Sequence, residues 1–77
     1  MFGQMLRAYR EAAGLSAREL GARVGRTGQA IGYLESGKSL PSRLLVDIIA
    51  DALGLSREQA RALDTAALYD ERARAAS

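Results

Sequence analysis

The sequence predicts an all-α fold of five short helices in one compact domain, and three observations carry that prediction. Hydrophobic residues make up 48% of the 77, yet only Phe2, Tyr9, Tyr33 and Tyr69 are aromatic, so the core must come from Leu, Ile, Val and Ala. Those residues suit helix packing, and they recur at three- and four-residue spacing along most of the chain. Glycines at 14, 25, 37 and 54 stand where such segments stop, and side chains that cap helices stand where the next begins.

Each element follows from these signals. Helix one is expected from about Gln4 to Ala13, with Met5, Leu6 and Tyr9 on one side and Gly14 as its stop. Ser16 and Glu19 form a capping box that opens a second helix from Ala17 to about Val24, burying Leu20 and Val24. After a turn at Gly25, Thr27 caps a third helix from Gly28 to Ser36, which offers Ile31 and Leu34 to the core. Gly37 ends it. Lys38 to Pro41 is a loop, because Pro41 disfavours helix at Leu40, and Ser42 caps a fourth helix from Arg43 to Leu53. Its stripe is Val46, Ile49, Ala50 and Leu53, while Leu45, Ile48 and Ala52 form a second apolar face that one small core would struggle to cover. Ser56 and Gln59 form another capping box, which opens a C-terminal helix over 57–75. The second and third helices, short, capped and separated by a tight turn, have the grammar of a helix-turn-helix.

Composition excludes several classes. With no Cys and no His there are no disulfides, thiolates, zinc sites or imidazole bases, and no nucleophile-base pair replaces them, so neither enzyme nor metal nor cofactor is expected. No stretch approaches the roughly 18 apolar residues that span a bilayer, since Leu44 to Ala50 is broken by Asp47, and no signal-peptide pattern opens the chain. A cytoplasmic location without membrane association is the expectation. Heavy use of Ala, Arg and Gly points to a GC-rich bacterial genome. The net charge of +2 hides an asymmetry. Residues 1–43 carry seven basic side chains against three acidic, whereas 44–77 carry four against six. The basic half holds the helix-turn-helix, as a phosphate-facing surface would.

Leu6, Arg10, Gly14-Leu15-Ser16, Glu19-Leu20, Gly25, Thr27, Ile31, Leu34-Glu35, Gly37-Lys38, Pro41, Val46, Ile49-Ala50, Leu53-Gly54-Leu55 and Leu63 fall at a characteristic spacing. Over about residues 4–63 the chain thereby resembles the lambda-repressor-like helix-turn-helix proteins, also called Cro-type or xenobiotic-response-element-type regulators. That resemblance implies four or five helices and binding of double-stranded operator DNA as a two-fold dimer. It also implies that Arg10 and Glu35 form a structural ion pair tying helix one to the end of the recognition helix.

The chain departs from the family pattern on the expected DNA face. Ala17 stands where a phosphate-binding Gln is usual, and Gly28 and Gly32 occupy positions often filled by side chains that face DNA. Gln29 and Tyr33 remain as base readers, with Gly28 and Gly32 letting the helix lie closer to base edges. A Gln amide suits the N6 and N7 atoms of adenine, and Tyr33 suits a thymine methyl or a phosphate. Arg18, Arg23, Arg26, Thr27, Lys38, Ser39 and Arg43 border the same surface and are the expected phosphate contacts, Arg43 being placed to approach the minor groove. The C-terminal helix suits two arrangements. It folds back over helix four within one chain, or it joins helix four in a dimer contact of Leu45, Ile48, Leu63, Ala66 and Tyr69.

The function expected is a sequence-specific DNA-binding transcriptional regulator, bacterial or phage-encoded and nucleoid-associated. It would repress by occupying an inverted repeat as a homodimer, since no separate activation or ligand domain fits in the remaining residues. The alternative is a protein-interaction adaptor, or an antitoxin-like binder of both DNA and a protein partner, using the glycine-bearing face of the third helix.

Overall fold

The computed structural model describes residues 1–76, in the order α1 (Phe2–Ala12), α2 (Ala17–Arg23), α3 (Gly28–Ser36), α4 (Arg43–Ala52) and α5 (Arg57–Ala76). Side-chain caps set most of the starts. The hydroxyls of Ser16, Thr27 and Ser42 accept the backbone N–H groups of Glu19, Ala30 and Leu45 at 3.0, 3.1 and 3.1 Å. Ser56 and Gln59 exchange two such bonds at the start of α5. Each cap satisfies an N–H that the helix cannot, and is worth about 1 kcal/mol.

Helix α1 starts differently, and two residues earlier than the expected Gln4. Its cap comes from α5, where the Asp70 carboxylate accepts the Phe2 N–H at 2.8 Å and pairs with the N-terminal ammonium at 3.2 Å. Starting at Phe2 turns that ring inward, where it is 1% exposed. Gly3 makes the arrangement sterically possible, because a Cβ there would collide with the Glu35 carbonyl oxygen at the end of α3. The N-terminal turn of α1 is thus pressed against the backbone of α3.

All five helices contribute to one core: Phe2 and Leu6, Leu20 and Val24, Ile31 and Leu34, Leu45, Val46 and Ile49, then Leu63, Ala66 and Ala67. Helix α3 packs on both α1 and α2, while α5 packs on α1 and α4. Of the two arrangements open to the C-terminal helix, the chain adopts the fold-back. This corrects the expected dimer contact at three positions. Leu45, Leu63 and Ala66 are buried within the single chain, because the small Ala66–Ala67 face lets α5 settle closely onto the core, and they are withdrawn from any contact between copies. Ile48 and Tyr69 remain on the surface, joined there by Leu44.

Candidate nucleic-acid interface

The α2–α3 pair is locked at its start, its turn and its crossing. At the start of α2, Ser16 and Glu19 complete the capping box, with the Ser16 N–H donating to the Glu19 carboxylate at 2.8 Å. That bond, followed by the one involving the Ser16 side chain, holds the Glu19 carboxyl below its usual pKa. At the turn, Gly25 takes a left-handed φ of 72°, and the Arg26 N–H closes onto the Gly21 carbonyl at 2.7 Å. Only a residue without a Cβ adopts that conformation freely.

At the crossing, two glycines bring the backbones together. A Cβ on Gly21 would fall 2.6 Å from the Thr27 carbonyl carbon, and one on Gly28 would fall 3.0 Å from the Arg18 Cα. Gly28 therefore lets α2 pack closely on α3. Gly32 differs, since a Cβ there would meet nothing within 4 Å. In sequence the two glycines look alike. The signal that separates them is register: Gly28 faces the first turn of α2, whereas Gly32 lies one turn further along α3, clear of it.

A shallow depression beside this crossing is lined by Arg18, Ala22, Arg26, Thr27, Gly28 and Gln29. The Thr27 hydroxyl already accepts the Ala30 N–H, which leaves its own proton to donate outward. On the exposed face of α3, the Gln29 amide donates from Nε2 to the Tyr33 hydroxyl at 3.0 Å. The Lys38 ammonium stands 5.4 Å from the centre of the Tyr33 ring, within cation–π range. Ser39 is half-buried and ties the loop back to α3 through its N–H, which donates to the Tyr33 carbonyl at 3.2 Å.

The expected phosphate-binding residues are not all in one place. Arg18, Arg26 and Thr27 line the depression beside Gln29, while Lys38 and the Ser39 backbone lie against Tyr33. Arg23 shares the outer side of α2 with Glu19, whose carboxylate it helps to keep ionised. Arg43 is drawn toward α5, at 3.4 Å from Asp64 in an exposed pair. The acids of α2 and α3 are committed elsewhere. Glu19 serves the capping box, and Glu35 is held by Arg10 through Nε at 2.6 Å and Nη2 at 3.1 Å. The remaining arm of Arg10 donates to the Leu15 carbonyl at 2.9 Å, joining α1, the α1–α2 turn and α3. This contact with Glu35 raises the already high pKa of Arg10. Among the described residues Arg18, Arg26 and Lys38 have no carboxylate partner, whereas Arg7, Arg10 and Arg43 do.

The family model of the helix-turn-helix domain matches residues 1–63, which includes all of α1 to α4 and the first turns of α5. The chain belongs to the helix-turn-helix domain family. Comparison with curated proteins and with solved structures returns no match. Membership of this family suggests that the chain binds DNA. Among the described residues no helix is long and apolar enough to cross a membrane.

Proposed function

We propose that this helix-turn-helix domain is a lambda-repressor-like regulator that reads operator DNA with α3 and represses by occupying it. One observation carries the reading. The exposed face of α3 presents hydrogen-bonding side chains, Gln29 and Tyr33, inside a border of cations, Arg18, Arg26 and Lys38, without carboxylate partners among the described residues. Uncompensated cations around a hydrogen-bonding helix face are what phosphate anchoring and base reading together require.

In the mechanism, α3 enters the major groove with Gln29 toward the base edges. Arg18, Arg26 and Lys38 meet phosphates on either side, and the Thr27 hydroxyl donates to one as well. Arg43 and Arg23 join at the periphery, Arg43 exchanging its loose contact with Asp64 for a phosphate or the minor groove. These cations release counterions on binding, so affinity falls steeply with salt, by a log–log slope of about 0.9 for each phosphate neutralised. An operator with two-fold symmetry calls for two copies. Among the described residues, the large apolar side chains that α4 and α5 leave exposed for contact between the copies are Leu44 and Ile48, one turn apart, and Tyr69.

Selection of bound sequences from a random duplex library with the purified protein tests the reading. The expected product is an inverted repeat with half-site centres about 10–10.5 bp apart. Sedimentation on the same preparation should report a dimer on that repeat. A second reading, an adaptor that receives a partner helix, is favoured by the open flank at Gly32. It takes over if the library yields no sequence above a scrambled background.

A further inference from the structure

Gln29 has one side chain beside it on its face of α3 that can hold it. Its neighbours on the same helix face are Gly32 and Tyr33, three and four residues on, with Gly28 just before it. Two of these lack side chains. Tyr33 is therefore the prop that α3 itself provides, and it makes the 3.0 Å contact between the Gln29 Nε2 and its own hydroxyl. The Tyr33 ring is in turn covered from the loop side by Lys38, while its backbone carbonyl accepts from the Ser36 hydroxyl and the Ser39 N–H at 3.3 and 3.2 Å.

Resting on the DNA-reading function proposed above, we infer that Tyr33 is a positioning residue that sets which base Gln29 reads. A Gln amide has two N–H donors and one carbonyl acceptor. With one N–H given to the Tyr33 oxygen, the other N–H and the carbonyl oxygen remain as an adjacent donor and acceptor. That pair is complementary to adenine, whose N7 accepts and whose N6 amino group donates on the major-groove edge. The Tyr33 oxygen, having accepted one hydrogen bond, directs its own proton away from Gln29, toward water. Every polar atom of the pair is then satisfied in the complex. The side chain also enters the groove already ordered, which lowers the entropic cost of reading. Tyr33 thereby acts on base choice through Gln29, without itself touching the adenine.

The test uses the full chain as wild type, Tyr33→Phe, Gln29→Ala and the double variant, each taken through the random duplex selection and then titrated on the selected and scrambled duplexes. Tyr33→Phe keeps the ring under Lys38 and removes only the hydroxyl, so helicity and affinity for scrambled DNA should stay within about twofold of wild type. Wild type should select adenine at one position in each half-site. Tyr33→Phe should lose about tenfold of that preference, within the range expected of one bidentate contact, at the same position as Gln29→Ala. The double variant should read no worse than Gln29→Ala alone, because the two act as one unit. Retained adenine preference in Tyr33→Phe overturns the inference. So does loss at a different position, or additive losses in the double variant, each of which would make Tyr33 an independent contact. A wild type that enriches no sequence removes the DNA reading itself, and the inference with it.

Discussion

Along one side of α3, Ile31 and Leu34 disappear into the core and Glu35 is gripped by the guanidinium of Arg10. Along the other side Gln29 and Tyr33 hydrogen-bond to one another, and Gly32 faces open space. The inner side is over-determined by the rest of the chain: α1 presses on it through Gly3, and the Arg10 fork joins three segments at once. The outer side is ordered only by its own residues and the loop that follows. The difference teaches where an external partner acts. The inner residues have their polar groups filled within the chain, whereas Gln29 gives up only one N–H to Tyr33, and Arg18, Arg26 and Lys38 have no carboxylate partner among the described residues.

The largest effect should come from breaking the inner side. The Arg10 and Glu35 side chains are only 12% and 11% exposed, so Arg10→Ala strands a nearly buried carboxylate and should cost about 3–5 kcal/mol in urea unfolding. Replacing both partners, as in Arg10→Met with Glu35→Leu, should recover most of that loss, since no charge is then left unpaired. A single-variant cost under about 1 kcal/mol would place the pair with ordinary surface bridges and remove the contrast between the two sides. Next in size is Gly21→Ala, which puts a methyl 2.6 Å from the Thr27 backbone at the α2–α3 crossing. Forced separation there should cost about 1–3 kcal/mol, read as a lower melting temperature, and should weaken DNA binding by tilting α3.

The inner side was largely legible from sequence because its signals are local. The caps at Ser16, Thr27, Ser42 and Ser56 and the glycine stops act within a few residues, so the bounds of α2 to α5 fall within a residue or so of expectation. The start of α1 was not legible, because its cap, Asp70, lies 68 residues away and no local pattern links it to Phe2. The burial of Leu45, Leu63 and Ala66 was equally hidden. Apolar spacing marks a face for burial without saying whether the same chain or a second copy covers it. On the outer side the i,i+4 spacing of Gln29 and Tyr33 was visible, but their dependence on one another emerges only from the side-chain hydrogen bond. Asp70→Ala probes the long-range cap directly. It should destabilise by about 0.5–2 kcal/mol, fraying the start of α1, with slowed hydrogen exchange at Phe2 as the contrary result.

The smallest expected effect is the most telling, because it repeats the substitution made at Gly21 of α2 on the outer side of α3. Gly32→Ala also adds one methyl to a helix interior, but that methyl meets nothing within 4 Å. Lower backbone entropy in the unfolded chain should then raise stability by about 0.5–1 kcal/mol, a shift of a few degrees in melting temperature. A chain free to choose on stability alone would carry Ala there. If α3 needs Gly32 to approach the base edges closely, the stabilised variant should bind the selected operator more weakly while its salt-dependent affinity for scrambled DNA is unchanged. A variant that is both more stable and equally tight on the operator would detach Gly32 from DNA reading and return that flank to the packing of another helix. Gain of stability with loss of specific binding would set apart two helix glycines by a single methyl group: Gly21 of α2 kept for the fold, Gly32 of α3 kept for what the fold reads.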